Sequence, residues 1–323
     1  MYSNTKVAEI TIDNVLYALD STTISTSIVL AAWALGKYSK GAVKMHTLLD
    51  LRGSILANIH ITDGKWHDSN ELDEIVPETF EKIKECIMQS AVVGFDESGC
   101  YCNKRLDWAW IAQTVYFTLL FRGNGRSSKE LTDRFGDSLE RMIAVTDRHS
   151  AYFALHFLNH QVCLAHILRE LQYLNEVDDK QQWSRRIENI LQQAIHERNE
   201  HPQDIIPKES WLKRLDDILK QSVTSLGKDF QRLKNGLIKC RDYMFNFLED
   251  PLIPSDNNDS ERGIRKLKIK LKNSGTFRSE LGADVFLELH SIVETAKKHD
   301  LSPYKAIRAL LGNTDSYAMA FAE

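Results

Sequence analysis

The sequence predicts an α/β fold whose core is interrupted by a large all-helical insertion. Between residues 43 and 163, short apolar segments with strand periodicity alternate with segments of helical pattern. From residue 164 to about residue 250 the pattern is helical throughout, and Leu164, Ile167 and Leu171 show its spacing. Helical patterns also dominate after that stretch.

Two strands are predicted near the N-terminus, at residues 43–51 and 55–61. In the second, isoleucines and an alanine alternate with the residues between them, which is the period of a strand. A polar stretch followed by Pro77 marks a boundary. We therefore expect a partial N-terminal unit over residues 1–76 and the main domain over residues 77–323.

The main domain is predicted to begin with a helix and to continue with five strands and one further helix before the insertion. In chain order these are a helix at 78–89, strands at 91–95, 106–115 and 116–121, a helix at 128–135, and strands at 142–145 and 161–163. Three more helices are predicted after the insertion. They follow residues 256–258, run through 285–296, and begin at Ser302–Pro303.

Composition places the chain among ordinary globular proteins, with 43% hydrophobic and 27% charged residues. The longest apolar run, residues 28–35, is too short to cross a bilayer. No basic-then-apolar signal segment opens the sequence. Five cysteines without framework spacing favour a reduced cytoplasmic compartment.

Two acidic residues directly follow apolar strands, and they are the first candidates for chemistry. Asp96 and Asp147 would lie at the edge of the sheet, and like charges placed together there would repel unless a cation neutralised them. Carboxylate oxygens suit Mg²⁺ or Mn²⁺, and Glu261, at the start of a helix, could complete a two-metal site. Glu97 would point to the opposite face of its strand. The alternative is that these acids simply face water.

A basic segment follows Glu261. From Glu261 to Arg278 there are seven Lys or Arg residues and one acid, although the net charge of the whole chain is −4. Such a stripe is typical of a nucleic-acid groove, and equally of a solvated helix face.

Five segments, in order, resemble the insertion sequence 66 transposases. They are FDESG at 95–99, TD at 146–147, CLAHILREL at 163–171, DNNDSER at 256–262 and SGTFRS at 274–279. The resemblance spans residue 78 to the end. It implies a ribonuclease-H-like mixed sheet, with the helical insertion between the second and third catalytic acids. Asp96, Asp147 and Glu261 would be those acids and would hold two Mg²⁺ or Mn²⁺ ions.

The same resemblance implies a function: cleavage and strand transfer of DNA during transposition of an insertion sequence. It implies a bacterial, nucleoid-associated protein that acts on DNA as a homo-oligomer, with no membrane partner. Candidate phosphate contacts are the seven basic residues Arg262, Arg265, Lys266, Lys268, Lys270, Lys272 and Arg278. A generic nuclease on the same fold is disfavoured because it would not need the insertion.

The resemblance also marks Cys163 and His166 as a Cys-x-x-His pair. A structural zinc needs four ligands, so we expect this pair to serve packing and positioning. The chain departs from the family in two places. Ser98 stands where threonine is usual, and Arg148–His149 stand where glycine and an aromatic residue often follow the second aspartate.

Residues 1–76 contain four further recognisable segments: LDSTTI at 19–24, KGAVKMHT at 40–47, DLRGS at 50–54 and HITDG at 60–64. These segments are similar to the start of the catalytic domain of insertion sequence 4 transposases. Asp20 matches that family's first acid, and its other two acids have no counterpart. We therefore expect a fusion that also lacks the N-terminal DNA-binding half that insertion sequence 66 transposases normally carry. The alternative function is an inactive remnant that at most binds DNA.

Overall fold

The computed structural model describes residues 17–26, 41–50, 55–63, 76–303 and 306. The chain divides into two compact units, of which one comprises Glu78–Leu301 and the other contains the N-terminal strands. Among the described residues, no helix is both long and apolar enough to span a membrane. The helix predicted from Ser302 falls mostly outside the described part of the chain.

The N-terminal strands form an antiparallel sheet of order β1-β2-β3. Its strands are β1 (Tyr17–Thr26), β2 (Gly41–Asp50) and β3 (Ile55–Asp63). The two strands predicted at residues 43–51 and 55–61 are confirmed, as β2 and β3. Asp20 lies inside β1 and pairs with Thr47 in the register of β2.

The second unit is built on a mixed five-stranded sheet of order β6-β5-β4-β7-β8. Its strands are β4 (Val92–Cys102), β5 (Arg105–Gln113), β6 (Thr118–Gly123), β7 (Ile143–Thr146) and β8 (Asn159–Val162). β4, β5 and β6 pair antiparallel, whereas β7 pairs parallel with β4 and β8 parallel with β7. The predicted α/β class is therefore confirmed.

Ten α-helices of the described residues complete this part of the chain. They are α1 (Val76–Met88), α2 (Ser128–Phe135), α3 (Ser150–Phe153), α4 (Leu164–Val177), α5 (Trp183–Glu200), α6 (Glu209–Leu219), α7 (Lys228–Cys240), α8 (Asn246–Glu249), α9 (Asn258–Ser274) and α10 (Glu280–Lys298). The predicted helical stretch corresponds to α4–α8. Its apolar residues, among them Trp183 and Phe230, form one core with Val145 of β7 and Val162 of β8.

The predicted C-terminal end of β4 was wrong. The strand was predicted to stop before Asp96, but it continues to Cys102. The reason is a tight hairpin to β5 whose turn residues, Asn103 and Lys104, have positive φ values of 48° and 66°. The parallel neighbour β7 pairs only with Val92–Gly94. Asp96 therefore lies where the parallel pairing ends, not where the strand ends.

Helices α9 and α10 cover a face of β4–β6. Ile264 and Leu267 of α9 and Leu287 of α10 pack with Ile111 of β5 and Leu120 of β6 in an apolar cluster. Burial of each such side chain contributes about 1.5–3 kcal/mol. This packing holds the acid-bearing helix α9 against the central strand.

Candidate active site

Asp96 and Asp147 are brought together by strand register. Val92 pairs with Ile143 and Gly94 with Val145, so the same offset places Asp96 beside Asp147 just past the last paired residues. Adjacent strands lie about 4.8 Å apart. The register thus puts the two acids on neighbouring strands, but Asp96 lies within the central strand β4 and not at the predicted sheet edge. Their role as a catalytic pair stays a prediction.

The surroundings of Asp96 disfavour its charged form. Burial, together with the negative charges of Glu97 and Asp147, raises the pKa of the Asp96 carboxyl to about 7, although the Glu97 N–H and Lys268 act to lower it. The Glu97 N–H donates to Asp96 Oδ1 at 2.9 Å. Asp147 Oδ1 accepts a bond of 2.8 Å from the His149 N–H. A bound cation would relieve the repulsion between the two carboxylates.

The start of α9 is fixed to both β4 and α4. The Asn257 side-chain amide donates to the Phe95 carbonyl at 2.7 Å, and its backbone N–H donates to Cys163 Sγ at 3.2 Å. The approach to the sheet is so close that a Cβ on Gly94 would stand 2.5 Å from Asn257 Oδ1 and 2.6 Å from Ser260 Oγ. Any larger residue at this position of β4 would require either the helix or these two side chains to move.

Glu261 follows one turn later, and its carboxylate is held by α4. Arg169 donates to both carboxylate oxygens, at 3.0 and 3.1 Å, and His166 Nε2 lies 3.4 Å from one of them. Potential metal-ligand atoms of Cys163, His166 and Glu261 all lie within 4.8 Å of one another. The sequence predicted Cys163 and His166 as a pair, but it did not predict that Glu261 joins them.

The Cys163–His166 pair has contacts of the kind a positioning role requires. Cys163 is fully buried, and burial raises the pKa of its thiol against the lowering effect of nearby backbone N–H groups. Its sulfur links the start of α4 to the start of α9. The Nδ1 atom of His166 is buried and has no hydrogen-bond partner among the described residues. The expected positioning role, rather than a zinc site, stays a prediction.

The predicted basic residues do not form one surface. Arg265, Lys268 and Lys272 follow Glu261 at positions i+4, i+7 and i+11, which lie on one face of a helix, and all three are exposed. Arg262 pairs instead with Asp259 within α9. Three further candidates lie elsewhere: Lys266 pairs with Glu294 of α10, Arg278 is exposed beyond the helix, and the Lys270 side chain is outside the described part.

Glu97 lies on the opposite face of β4, as predicted. Its buried carboxylate accepts bonds from Arg126 Nε at 2.6 Å and from the Tyr152 hydroxyl. The Arg126 guanidinium lies 4.9 Å above the Trp108 ring. Sequence reasoning missed Arg126 and Tyr152, because only the fold brings them to Glu97. This cluster supports β4 from behind Asp96.

The sequence was compared with models of protein families. The sequence model described as "Transposase IS66 family" matches residues 69–285, which is more than half of the chain and includes Asp96, Asp147 and Glu261. It does not extend to residues 1–68, so the similarity of the N-terminal stretch to insertion sequence 4 transposases has no support from it. None of the curated proteins matches the chain.

Proposed function

The chain belongs to the IS66 family of transposases, and on that premise we propose that it catalyses metal-dependent DNA cleavage and strand transfer during transposition of an insertion sequence. The observation that carries the proposal is the parallel register of β4 and β7, which, continued by two residues, brings Asp96 of β4 next to Asp147 at the end of β7. DNA as the substrate, and a homo-oligomer assembled on it, are part of the same proposal.

The sheet also supports the ribonuclease-H-like fold that we propose for this domain. Its first three strands form an antiparallel meander, and the next two are added parallel to the first of them. The helices α4–α8 then stand in the chain between Asp147 and Glu261. That order of elements is the one expected for the insertion.

Asp96 and Asp147 fit a divalent cation. Asp96 and Asp147 supply hard oxygen ligands, and the raised pKa of Asp96 reflects burial together with negative charge that no adjacent cation fully offsets. We propose that they hold Mg²⁺ or Mn²⁺, two ions in all, with Glu261 as the third acid. Bound ions of this kind activate an attacking oxygen and stabilise the leaving oxygen of a phosphodiester.

The chain's own side chains would position the substrate and the third acid. Asn257 anchors the start of α9 to Phe95, one residue before Asp96, and this contact would hold the helix that carries Glu261 against β4. Arg169 and His166 restrict the orientation of the Glu261 carboxylate. Arg265, Lys268 and Lys272, exposed on the same helix face, would contact phosphates of DNA bound along α9.

The test is nicking of labelled DNA with Mn²⁺ or Mg²⁺ by the intact chain, by Asp147→Ala and by the control Asp137→Ala, whose side chain is exposed on a 3₁₀ helix. We expect nicking by the intact chain and the control, and none by Asp147→Ala. If no variant nicks DNA while all are folded and bind it, the protein is an inactive remnant and the enzymatic proposal is wrong.

A further inference from the structure

A cavity of about 690 Å³ opens between the segment that follows Asp147 and the helical insertion. Arg148 and Phe153 form one wall, and Arg232, Lys239 and Tyr243 form the other. A volume in this range is typical of sites that enclose a small molecule or one residue of a polymer. Neither the acid site nor the basic face of α9 uses it.

The two walls of the cavity meet at Gly236 of α7. A Cβ at that position would stand 2.7 Å from Arg148 Nη1, so the guanidinium lies directly against the helix. Arg148 is held there by an ion pair with Glu170 of α4. The residue after Asp147 is thus connected to the insertion, and the cavity is a defined feature of the fold beside the acid site.

The charge of the lining favours an anion. Three cations, Arg148, Arg232 and Lys239, line the cavity together with a single carboxylate, Glu170. Glu170 is already occupied by Arg148, and Arg232 has only a loose contact of 3.6 Å with Asp229. Lys239 is exposed and makes no hydrogen bond or ion pair within the described residues. Phosphate oxygens are suitable partners for cations arranged in this way.

Aromatic rings stand beside these cations. Tyr243 and Phe153 line the cavity with ring centroids 5.5 Å apart and planes at 52°. Tyr243 is only partly buried. Rings next to cations are the combination that binds unpaired nucleotides, because the base packs on a ring while the phosphate meets the cation.

We propose that this cavity binds an unpaired nucleotide of the DNA substrate, next to the strand that is cut. The inference rests on the proposed function for the identity of the polymer. A base stacked in a duplex could not reach the walls of a cavity, so the nucleotide must be single-stranded or turned out of the helix. The helical insertion then has a role of its own: α7 and the turn after it supply half of the nucleotide site.

The first test measures binding of a fluorescently labelled single strand of roughly 20 nucleotides, long enough to cover such a site. Lys239→Glu is compared with Lys213→Glu, since Lys213 is also exposed on the insertion but lies outside the cavity. We expect Lys239→Glu to bind about tenfold more weakly and to lower the dependence of log K on log salt by about 0.7. Equal effects of the two substitutions would overturn the proposal.

The second test asks whether the base itself is bound. Tyr243→Ala and the control Tyr173→Ala, which removes an exposed ring of α4, are measured on the same strand and on an abasic strand of equal length. We expect Tyr243→Ala to lose about tenfold on the normal strand and little on the abasic one. Equal losses on both strands would overturn the proposal. Because Tyr243 also packs on His160, thermal melting curves of each variant must accompany the binding measurement. If Tyr243→Ala is unfolded, the comparison of Lys239→Glu with Lys213→Glu alone decides the outcome.

These results separate the cavity from the proposed function. Nicking that needs Asp147, combined with unchanged strand binding by Lys239→Glu and Tyr243→Ala, would overturn the cavity proposal alone. Strand binding that depends on both residues, in a protein that never nicks DNA, would overturn the enzymatic proposal and support the cavity. Competition by free deoxyadenosine monophosphate at strand concentrations would show that a mononucleotide, rather than DNA, is the occupant, and would also overturn the proposal.

Discussion

The contact between Gly94 and the start of α9 gives the sharpest prediction for the fold. Gly94→Ala would place a methyl group 2.5 Å from Asn257 Oδ1 and 2.6 Å from Ser260 Oγ, both on the segment that carries Glu261. These oxygens would have to recede by about 1 Å to reach ordinary contact distance. The substitution therefore tests whether this close approach positions the third acid.

The cost follows from the two ways in which the clash can be relieved. If α9 shifts outward, overpacking costs about 1–3 kcal/mol. If the Asn257 side chain rotates instead, the Phe95 carbonyl loses its buried amide donor, which also costs about 1–3 kcal/mol. Either route predicts a loss of about 2 kcal/mol in the free energy of unfolding. For a domain of this size the melting temperature would fall by about 4–8 °C.

The assay is thermal unfolding followed by circular dichroism, with Gly125→Ala as the matched control. A Cβ on Gly125 would meet its nearest atom, Glu130 Oε1, at an ordinary 3.6 Å. We expect Gly125→Ala to melt within about 2 °C of the wild type. If Gly94→Ala melts at the same temperature as Gly125→Ala, the helix does not approach the sheet as described, and the reasoning about Glu261 fails with it.

Three further predictions concern other parts of the second unit. Burial lowers the pKa of His160 to about 4, so the folded protein binds fewer protons than the unfolded chain between about pH 4 and 6.5. The free energy of unfolding, measured by urea titration, should therefore fall by about 2–3 kcal/mol from pH 6.5 to 4.5. The fall should be smaller in His160→Gln. Arg122→Ala leaves the fully buried Asp107 carboxylate with only the exposed Arg105 as an ion-pair partner. It should lower the free energy of unfolding by about 3 kcal/mol, whereas Arg105→Ala should lower it by less than about 1 kcal/mol. Equal losses would contradict the different roles of these two ion pairs. Cys163→Ala removes the hydrogen-bond acceptor of the Asn257 N–H and should lower the free energy of unfolding by about 1–2 kcal/mol. Cys163→Ser keeps an acceptor and should retain most of that stability. An equal loss in both variants would show that the sulfur acts only by filling space.

Much of the fold could be predicted from the sequence because periodicity is local information. The alternation at residues 55–61 gave β3, and the helical spacing from Leu164 gave α4 and its successors. The position of Asp96 and Asp147 directly after apolar segments was sufficient to expect them near each other, although Asp96 lies within its strand and not at its end. The end of β4 was predicted wrongly because Glu97 and Ser98 look like loop residues, whereas both are buried and Glu97 is bonded by Arg126, after β6, and by Tyr152 of α3.

The partners within the site could be predicted less well. The contacts of Glu261 with His166 and Arg169 join residues more than ninety positions apart, and no local pattern encodes them. The basic residues after Glu261 looked like one stripe, but helix geometry separates those on the face of Glu261 from those paired with Asp259 and Glu294. Charge counting along a sequence does not show which cations are already neutralised.

The central claim is that Asp96 and Asp147 share a divalent metal site, and Mn²⁺ binding measured by electron paramagnetic resonance tests it most directly. The signal of free Mn²⁺ is followed as protein is added, for the wild type, for Asp147→Asn and for Asp137→Asn as the exposed control. We expect Asp147→Asn to weaken Mn²⁺ binding by at least about tenfold and the control to bind as the wild type does. Equal Mn²⁺ affinity in all three proteins would contradict it.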